Sequence, residues 1–234
     1  MKTAMILAAG RGERMRPLTD NTPKPLLKVG GKPLIVWHIE RLAAAGYTRI
    51  VVNHAHLGAQ IETALGNGNK WGVSIVYSRE ATALETAGGI ATALPLIDAD
   101  IFPVVNGDVY VEYDFAQLAK PMSLIAAGDA QMHLVLVDNP PQHPHGDFVL
   151  RDARVVEGDG DKLTFSGIGV YHRALFADIP PHIKAPLVPL LRAAIAAGQA
   201  RGEHFQGRWV DVGTPDRLQR LDEILRIQTE SNHV

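Results

Sequence analysis

Arg11, Arg14, Arg16, Lys24 and Lys28 fall within 18 consecutive residues, beside the Gly-x-Gly turn of "AAGRGERM". Backbone N–H groups of such a turn can surround phosphate oxygens while guanidinium and ammonium groups neutralise them. Lys24 stands in "TPKPLL", where Pro23 and Pro25 restrict the backbone on either side. Two carboxylates suit the same chemistry, Asp108 in "VVNGDVY" and Asp211 in "GRWVDVGTPDRL". Magnesium is commonly held by one or two carboxylates together with phosphate oxygens. Nothing local in the sequence brings the two aspartates together.

The loop matches neither common phosphate loop. The run G-R-G-E-R-M lacks the third glycine of a dinucleotide fingerprint, and "GGKPL" puts Pro33 where a P-loop needs Ser or Thr. His54/His56 and His143/His145 lack an evident third ligand, so they read as local polarity rather than a zinc site.

The elements that must position these groups follow from periodicity. "TAMILAA" is a continuous apolar run ending at Gly10, as expected of a strand buried on both faces. "PLIVWHIERLAAAG" predicts a helix with Pro33 in its first turn and Gly46 as its stop. Strands are expected at "TRIVVNH", "GVSIVYSRE" and "DIFPVVNGD", with helices at "LGAQIETALGNG" and "ETAGGIATALPL". That alternation predicts a parallel sheet covered by helices on both faces. From residue 121 regularity falls away: a strand at "AQMHLVLVDNP" precedes a turn at "PQHPHG" and short antiparallel strands to His172. Helices return at "APLVPLLRAAIAAG", where Pro189 predicts a late start or a bend, and at "PDRLQRLDEILRIQTE". One domain over 1–234 is expected, with 1–120 mainly binding nucleotide. Residues 121–234 mainly bind the sugar phosphate and supply the last helices.

Composition narrows the class. Lys plus Arg is 23 against Asp plus Glu 25, too balanced for non-specific binding to nucleic acid. The absence of cysteine excludes disulfides and thiol catalysis. The opening apolar run is too short for a signal sequence, and no run approaches a membrane span. A cytoplasmic protein, with no membrane or nucleic-acid partner, is expected.

The stretch from Leu7 to Leu34 closely resembles the signature of sugar-1-phosphate nucleotidyltransferases, and "ETAGG", "VVNGDVY" and "WVDVGTPDRL" resemble that family's later motifs in order. The resemblance implies a three-layer α/β/α fold, with a Rossmann-like, mostly parallel sheet and a small antiparallel substrate-binding part. It implies that Leu7, Ala8, Ala9, Gly10, Arg11, Gly12, Glu13, Glu80, Gly88 and Asn106 bind the nucleotide, with Ala83 beside the base. Arg14 and Lys24 then face the triphosphate as catalytic groups with Asp108, and Asp108 and Asp211 hold Mg²⁺. On the sugar-phosphate side it points to Asp108, Gly146, Glu157, Ser166 and Gly167. The family's Glu-Lys-Pro segment is missing from "ARVVEGDGDKLTF", so Lys162 reads as a turn residue.

The phrases "YSRE", "LETAGGI", "TFSGIGVY" and "GEHFQGRWVDVGT" look most like members that join UTP to N-acetylmuramate 1-phosphate in cell-wall sugar recycling. The longer members' C-terminal domain has no room here, and a monomer or simple homo-oligomer is expected. Alternatives are a guanylyl- or thymidylyltransferase for mannose or glucose 1-phosphate, or a silent nucleotide-sugar-binding regulator. No Arg or Lys is assigned to the lactyl carboxylate of muramate, which is expected to stay partly in water.

Overall fold

The computed structural model describes residues 2–231. Strand β1 (Thr3–Leu7) leads into a long loop containing a single helical turn, α1 (Leu18–Asn21), and a small hairpin, β2 (Lys28–Val29) with β3 (Lys32–Pro33). Then follow α2 (Leu34–Ala44), β4 (Arg49–His54), α3 (Gly58–Leu65), β5 (Ser74–Arg79), α4 (Glu85–Ala93) and β6 (Ile101–Asn106). The second half contains β7 (Val109–Val111), α5 (Ala119–Ala126), β8 (Met132–Val137), β9 (Phe148–Arg151), β10 (Arg154–Val156) and β11 (Lys162–His172). It closes with α6 (Val188–Ala196), β12 (Ala200–His204), β13 (Trp209–Asp211) and α7 (Pro215–Ser231).

Nine strands form one sheet in the order β5-β4-β1-β6-β11-β8-β12-β10-β9. It is parallel from β5 to β6 and mixed beyond, where β11 runs antiparallel to both β6 and β8. The period-two pleat splits each strand between two helical layers. Ala4 and Ile6 of β1 pack with Ile35, Ile39 and Ile61 of α2 and α3. Met5, between them, points to the other face, into the cluster that contains Ile90 of α4 and Leu191 and Ile195 of α6. A smaller cluster joins Met15 and Val29 of the long loop to Tyr110 of β7 and to Leu221 and Leu225 of α7. The last helix therefore braces the first loop.

Three elements depart from the sequence reading. Helix α5 lies where regularity was expected to fail. Pro121 is its third residue, where a missing N–H costs little. Strand β12 is the polar run "ARGEH", which carries no strand pattern and is held by pairing with β8. Lys162 is no turn residue but the first of the 11 residues of β11. Pro189 stands in the first turn of α6, which starts late as expected. No helix is long and apolar enough to cross a membrane among the described residues.

One buried imidazole sets the height of β7, the strand that follows Asp108. His38 of α2 is fully buried, and its Nε2 donates to the Val109 carbonyl at 2.7 Å. Burial lowers its pKa to about 4 from 6.5, outweighing the opposite pull of that hydrogen bond. The unfolded chain thus binds a proton between pH 6.5 and 4 that the folded chain refuses, and acid favours unfolding across that window. Urea denaturation should show stability falling from pH 6.5 to 5 by roughly 1 kcal/mol per pH unit on this account. His38→Gln should flatten that component. Parallel pH curves for the two proteins would exclude it.

Candidate active site

The carboxyl ends of β1, β4 and β6 open onto a cavity of about 360 Å³, the usual place for a ligand in such a sheet. Leu7, Ala8, Ala9, Gly10 and Gly12 form one side, with Glu13, Arg14 and Lys24. The N–H groups of Gly10, Arg11 and Gly12 donate to no other group among the described residues, leaving a nest of donors able to meet an anion. Gly12 has to be glycine: its φ is +69°, and a Cβ there would come within 3.2 Å of the Lys24 Cβ and 3.0 Å of Thr19.

Lys24 is buried, and its Nζ donates to Asp108 Oδ2 at 2.6 Å. Asp108 is reached through Gly107, whose N–H donates to the Leu7 carbonyl at 2.8 Å and whose missing Cβ would sit 2.7 Å from that oxygen. The ends of β1 and β6 are thereby closed on each other. Across the β7–β13 ladder Asp211 pairs with Val109, and the Val212 N–H reaches the Asp108 carbonyl at 3.3 Å. The two aspartates, 103 positions apart, are thus brought to adjoining places. Asp211 accepts from Arg217 at 2.8 Å. Both its carboxylate oxygens lie 3.1 Å from where a Cβ on Gly213 would be, and Gly213 lines the cavity.

Behind the cavity is a polar layer. Asn53 accepts from the Ala8 N–H at 2.9 Å and donates to Glu80 at 2.7 Å, while the other Glu80 oxygen accepts from the Leu84 N–H at 3.0 Å. Burial pushes the Glu80 carboxyl above the usual range, against the pull of those two bonds. The next residue, Glu85, has φ +59°, a backbone state costing about 1–3 kcal/mol in a non-glycine residue. The chain accepts it where Leu84 is held by Glu80 and by the Ala185 N–H.

A second cavity of about 530 Å³ adjoins the first, sharing Glu85, Thr86 and Asn106 as a common wall. Gly146, Asp147, Phe148, Lys162 and Phe165 come from the antiparallel part, and Leu187, Val188, Leu191 and Arg192 from α6 and its approach.

Most of the expected nucleotide residues line the first cavity, Leu7, Ala8, Ala9, Gly10, Gly12, Glu13, Arg14, Lys24, Ala83 and Asn106, and so does Asp108, expected as a catalytic and metal-binding group. Several others are placed elsewhere. Arg11 turns back onto the Thr19 carbonyl at 2.8 Å and Asp20. Glu80 stands in the inner polar layer. Gly88 faces the segment before α6, its N–H on the Ala185 carbonyl and its missing Cβ 2.2 Å from the Ile183 oxygen. Of the sugar-side residues, Gly146 lines the second cavity, but Glu157 is exposed and lines neither. Ser166 and Gly167 lie where the register of β11 slips against β8. Gly167, at φ +84°, leaves room for Asn106, whose Nδ2 would sit 2.7 Å from a Cβ. Sequence reasoning missed Asn53, Glu85, Thr86, Gly213 and Arg192. Asn53 had a signal, a polar residue closing an apolar strand as Asn106 does. Arg192 had none.

The nucleotidyl transferase family model matches residues 3–157. The chain belongs to that family. A nucleotidyl transferase of this length is also 54% identical to the N-acetylmuramate alpha-1-phosphate uridylyltransferase of Neisseria meningitidis serogroup B, over 94% of this chain and 97% of that one. It is 30% identical to the mannose-1-phosphate guanylyltransferase of Mycobacterium tuberculosis, over 93% of this chain but 62% of that longer one. A crystal structure of a putative glucose-1-phosphate thymidylyltransferase from Bacillus anthracis superposes with a TM-score of 0.84, covering 97% of this chain and 95% of that one. Its 23% identity speaks for the three-layer α/β fold alone.

Asn53 carries a prediction of its own. Asn53→Ala strands the Ala8 N–H and one Glu80 oxygen in a buried place, so it should cost about 1–3 kcal/mol of unfolding free energy per stranded group. A urea midpoint within error of the unaltered protein would show that water replaces both bonds.

Proposed function

We propose that the enzyme transfers a uridylyl group from UTP to N-acetylmuramate 1-phosphate, giving UDP-N-acetylmuramate and pyrophosphate. The observation that carries the transfer is the pair of cavities meeting at Asn106, one beside the glycine turn and Lys24, the other lined by the antiparallel half. The choice of uracil and muramate is supported by the 54% identity, which runs nearly end to end in both chains. The guanylyltransferase relative extends well beyond this chain's length.

The acceptor brings its own nucleophile, because a phosphate monoester with a second pKa of about 6 is dianionic at neutral pH. One acceptor oxygen bonds to the α-phosphorus of UTP as the bond from that phosphorus to the bridging oxygen breaks. Pyrophosphate takes that electron pair, and no proton has to be removed. The difficulty is charge, and it is met by placement. The free N–H groups of Gly10, Arg11 and Gly12 and the guanidinium of Arg14 receive the triphosphate, and Lys24 neutralises the departing end. The two carboxylates suit Mg²⁺: Asp108 lines the first cavity, Asp211 lies against the cavity-lining Gly213, and both supply hard oxygen donors. Asp108 and Asp211 would hold the ion, phosphate oxygens and water completing its shell, and it would supply charge neutralisation at the phosphates. A cytoplasmic setting and a monomer or simple homo-oligomer complete the proposal.

Initial rates of pyrophosphate release across four nucleoside triphosphates and the muramate, glucosamine, glucose and mannose 1-phosphates test the assignment. UTP with N-acetylmuramate 1-phosphate should give the highest kcat/KM. A preference for GTP with mannose 1-phosphate would replace the substrates and leave the transfer standing.

Lys24→Ala should lower kcat more than it raises KM for the sugar phosphate. Removing one such donor typically costs about 2–4 kcal/mol of transition-state stabilisation, roughly 30- to 1,000-fold in rate. Asp108→Asn and Asp211→Asn should abolish turnover at limiting Mg²⁺ in folded protein. A loss below about threefold for Lys24→Ala, or full rate in either aspartate variant, removes that residue from its role.

A further inference from the structure

The second cavity holds an asymmetry of charge that the transfer reaction leaves unused. Its acidic side chains are already engaged. Asp147 accepts from His143 at 2.9 Å with one oxygen and from the Phe165 N–H at 2.8 Å with the other, and Glu85 lies 3.3 Å from Lys184. Its cations are not. Lys162 and Arg192 are among the residues lining the cavity, and neither side chain makes a hydrogen bond or ion pair among the described residues. The position of Arg192 is fixed all the same. Val188, Leu191 and Arg192 stand at i, i+3 and i+4 on α6, a spacing that puts them on one face. Leu191 is 1% exposed and packs into the core beneath the sheet. The guanidinium is therefore carried on an anchored helix, and Lys162, the first residue of β11, lines the same cavity.

From this geometry we infer that Arg192, with Lys162, recognises a carboxylate on the acceptor sugar other than its 1-phosphate, namely the lactyl ether carboxylate of muramate. The inference rests on the substrate assignment above, which it deepens. The 1-phosphate has to reach the first cavity, where Lys24 and Asp108 are, so the rest of the sugar extends past Asn106 into the second. A carboxylate carried there loses water on binding and needs donors in return. The planar fork of a guanidinium matches a carboxylate with two parallel N–H bonds, and neither cation has a competing partner to give up. N-acetylglucosamine 1-phosphate differs from the muramate compound only in lacking the lactyl ether. It would meet the same apolar wall and leave both cations in water, so Arg192 and Lys162 discriminate by what they add for one sugar.

The test compares the two sugar phosphates at saturating UTP on the unaltered enzyme and on Arg192→Ala, Arg192→Lys and Lys162→Ala. Arg192→Ala should lower kcat/KM for the muramate substrate about 10- to 100-fold, chiefly through KM, and change it less than about threefold for the glucosamine substrate. Arg192→Lys should recover part of the loss, and Lys162→Ala should lower the ratio of the two sugars by a smaller factor. Raising the salt concentration should narrow the ratio in the unaltered enzyme and narrow it less in Arg192→Ala, where Lys162 alone remains. Equal losses on both sugars would place Arg192 on the shared phosphate or ring and overturn the proposal, as would an unchanged ratio. Turnover of neither sugar by the unaltered enzyme would instead overturn the substrate assignment, and the proposal with it.

Discussion

The ammonium of Lys24 is buried and is met by one carboxylate, that of Asp108, at 2.6 Å. A charge taken out of water is tolerated only with a close partner of opposite sign, and four parts of the fold are committed to holding this pair. The first loop carries the lysine between two prolines, and Gly12 makes room for its stem. The end of β6 carries the aspartate, pulled against β1 by the Gly107 N–H. The β7–β13 ladder holds the next residues in register, and α7 packs over the loop from outside. The pair is also placed for exchange. A polyphosphate in the first cavity would offer Lys24 several oxygens in place of the one it holds on Asp108. The bond between Lys24 and Asp108 is the one that a bound phosphate can take over.

Behind that exchangeable pair lies a layer that is not exchangeable. Asn53 spans from the Ala8 N–H to Glu80, and Glu80 in turn caps the Leu84 N–H just before the strained Glu85. Its bonds run between buried groups, so losing one leaves a polar atom without water. The layer thus fixes the backbone of both walls while contributing no charged atom to the cavity itself. His38 does the same for β7 from the opposite helical layer, by way of the Val109 carbonyl.

How much of this was legible in the sequence depended on how local its cause is. The parallel half follows from alternating apolar strands and amphipathic helices, and it appears where expected from β1 to β6. The glycine turn, Lys24 and the two aspartates were visible as residue types suited to phosphate and Mg²⁺, and the structure brings all of them to one region. Features set by distant partners were not visible. Strand β12 exists because β8 offers it an edge, not because "ARGEH" has a strand pattern. Arg11 looked like one more phosphate ligand until the fold set Thr19 and Asp20 within its reach. Ser166 and Gly167 read as ligands, and the structure places them where β11 changes register, with Gly167 making space for Asn106. Arg192 in "PLLRAA" reads as an ordinary helix arginine, because its meaning comes from a cavity that α6 shares with residues of β9 and β11.

The same contrast explains how a chain of formal charge −2 can receive two polyanions. Much of its positive charge is spent within the fold: Arg217 on Asp211, Arg154 and Arg201 on Asp129, and Arg79 on Glu62. Such pairs present almost no field at a distance, because each is neutral as a unit and is screened by salt within about 8–10 Å. Arg14 in the first cavity and Arg192 and Lys162 in the second make no pair among the described residues. Their field is left to act in the two clefts where the substrates must enter, and attraction there needs no net positive charge on the whole protein. Specificity for small phosphorylated ligands thus follows from which cations the fold leaves unpaired.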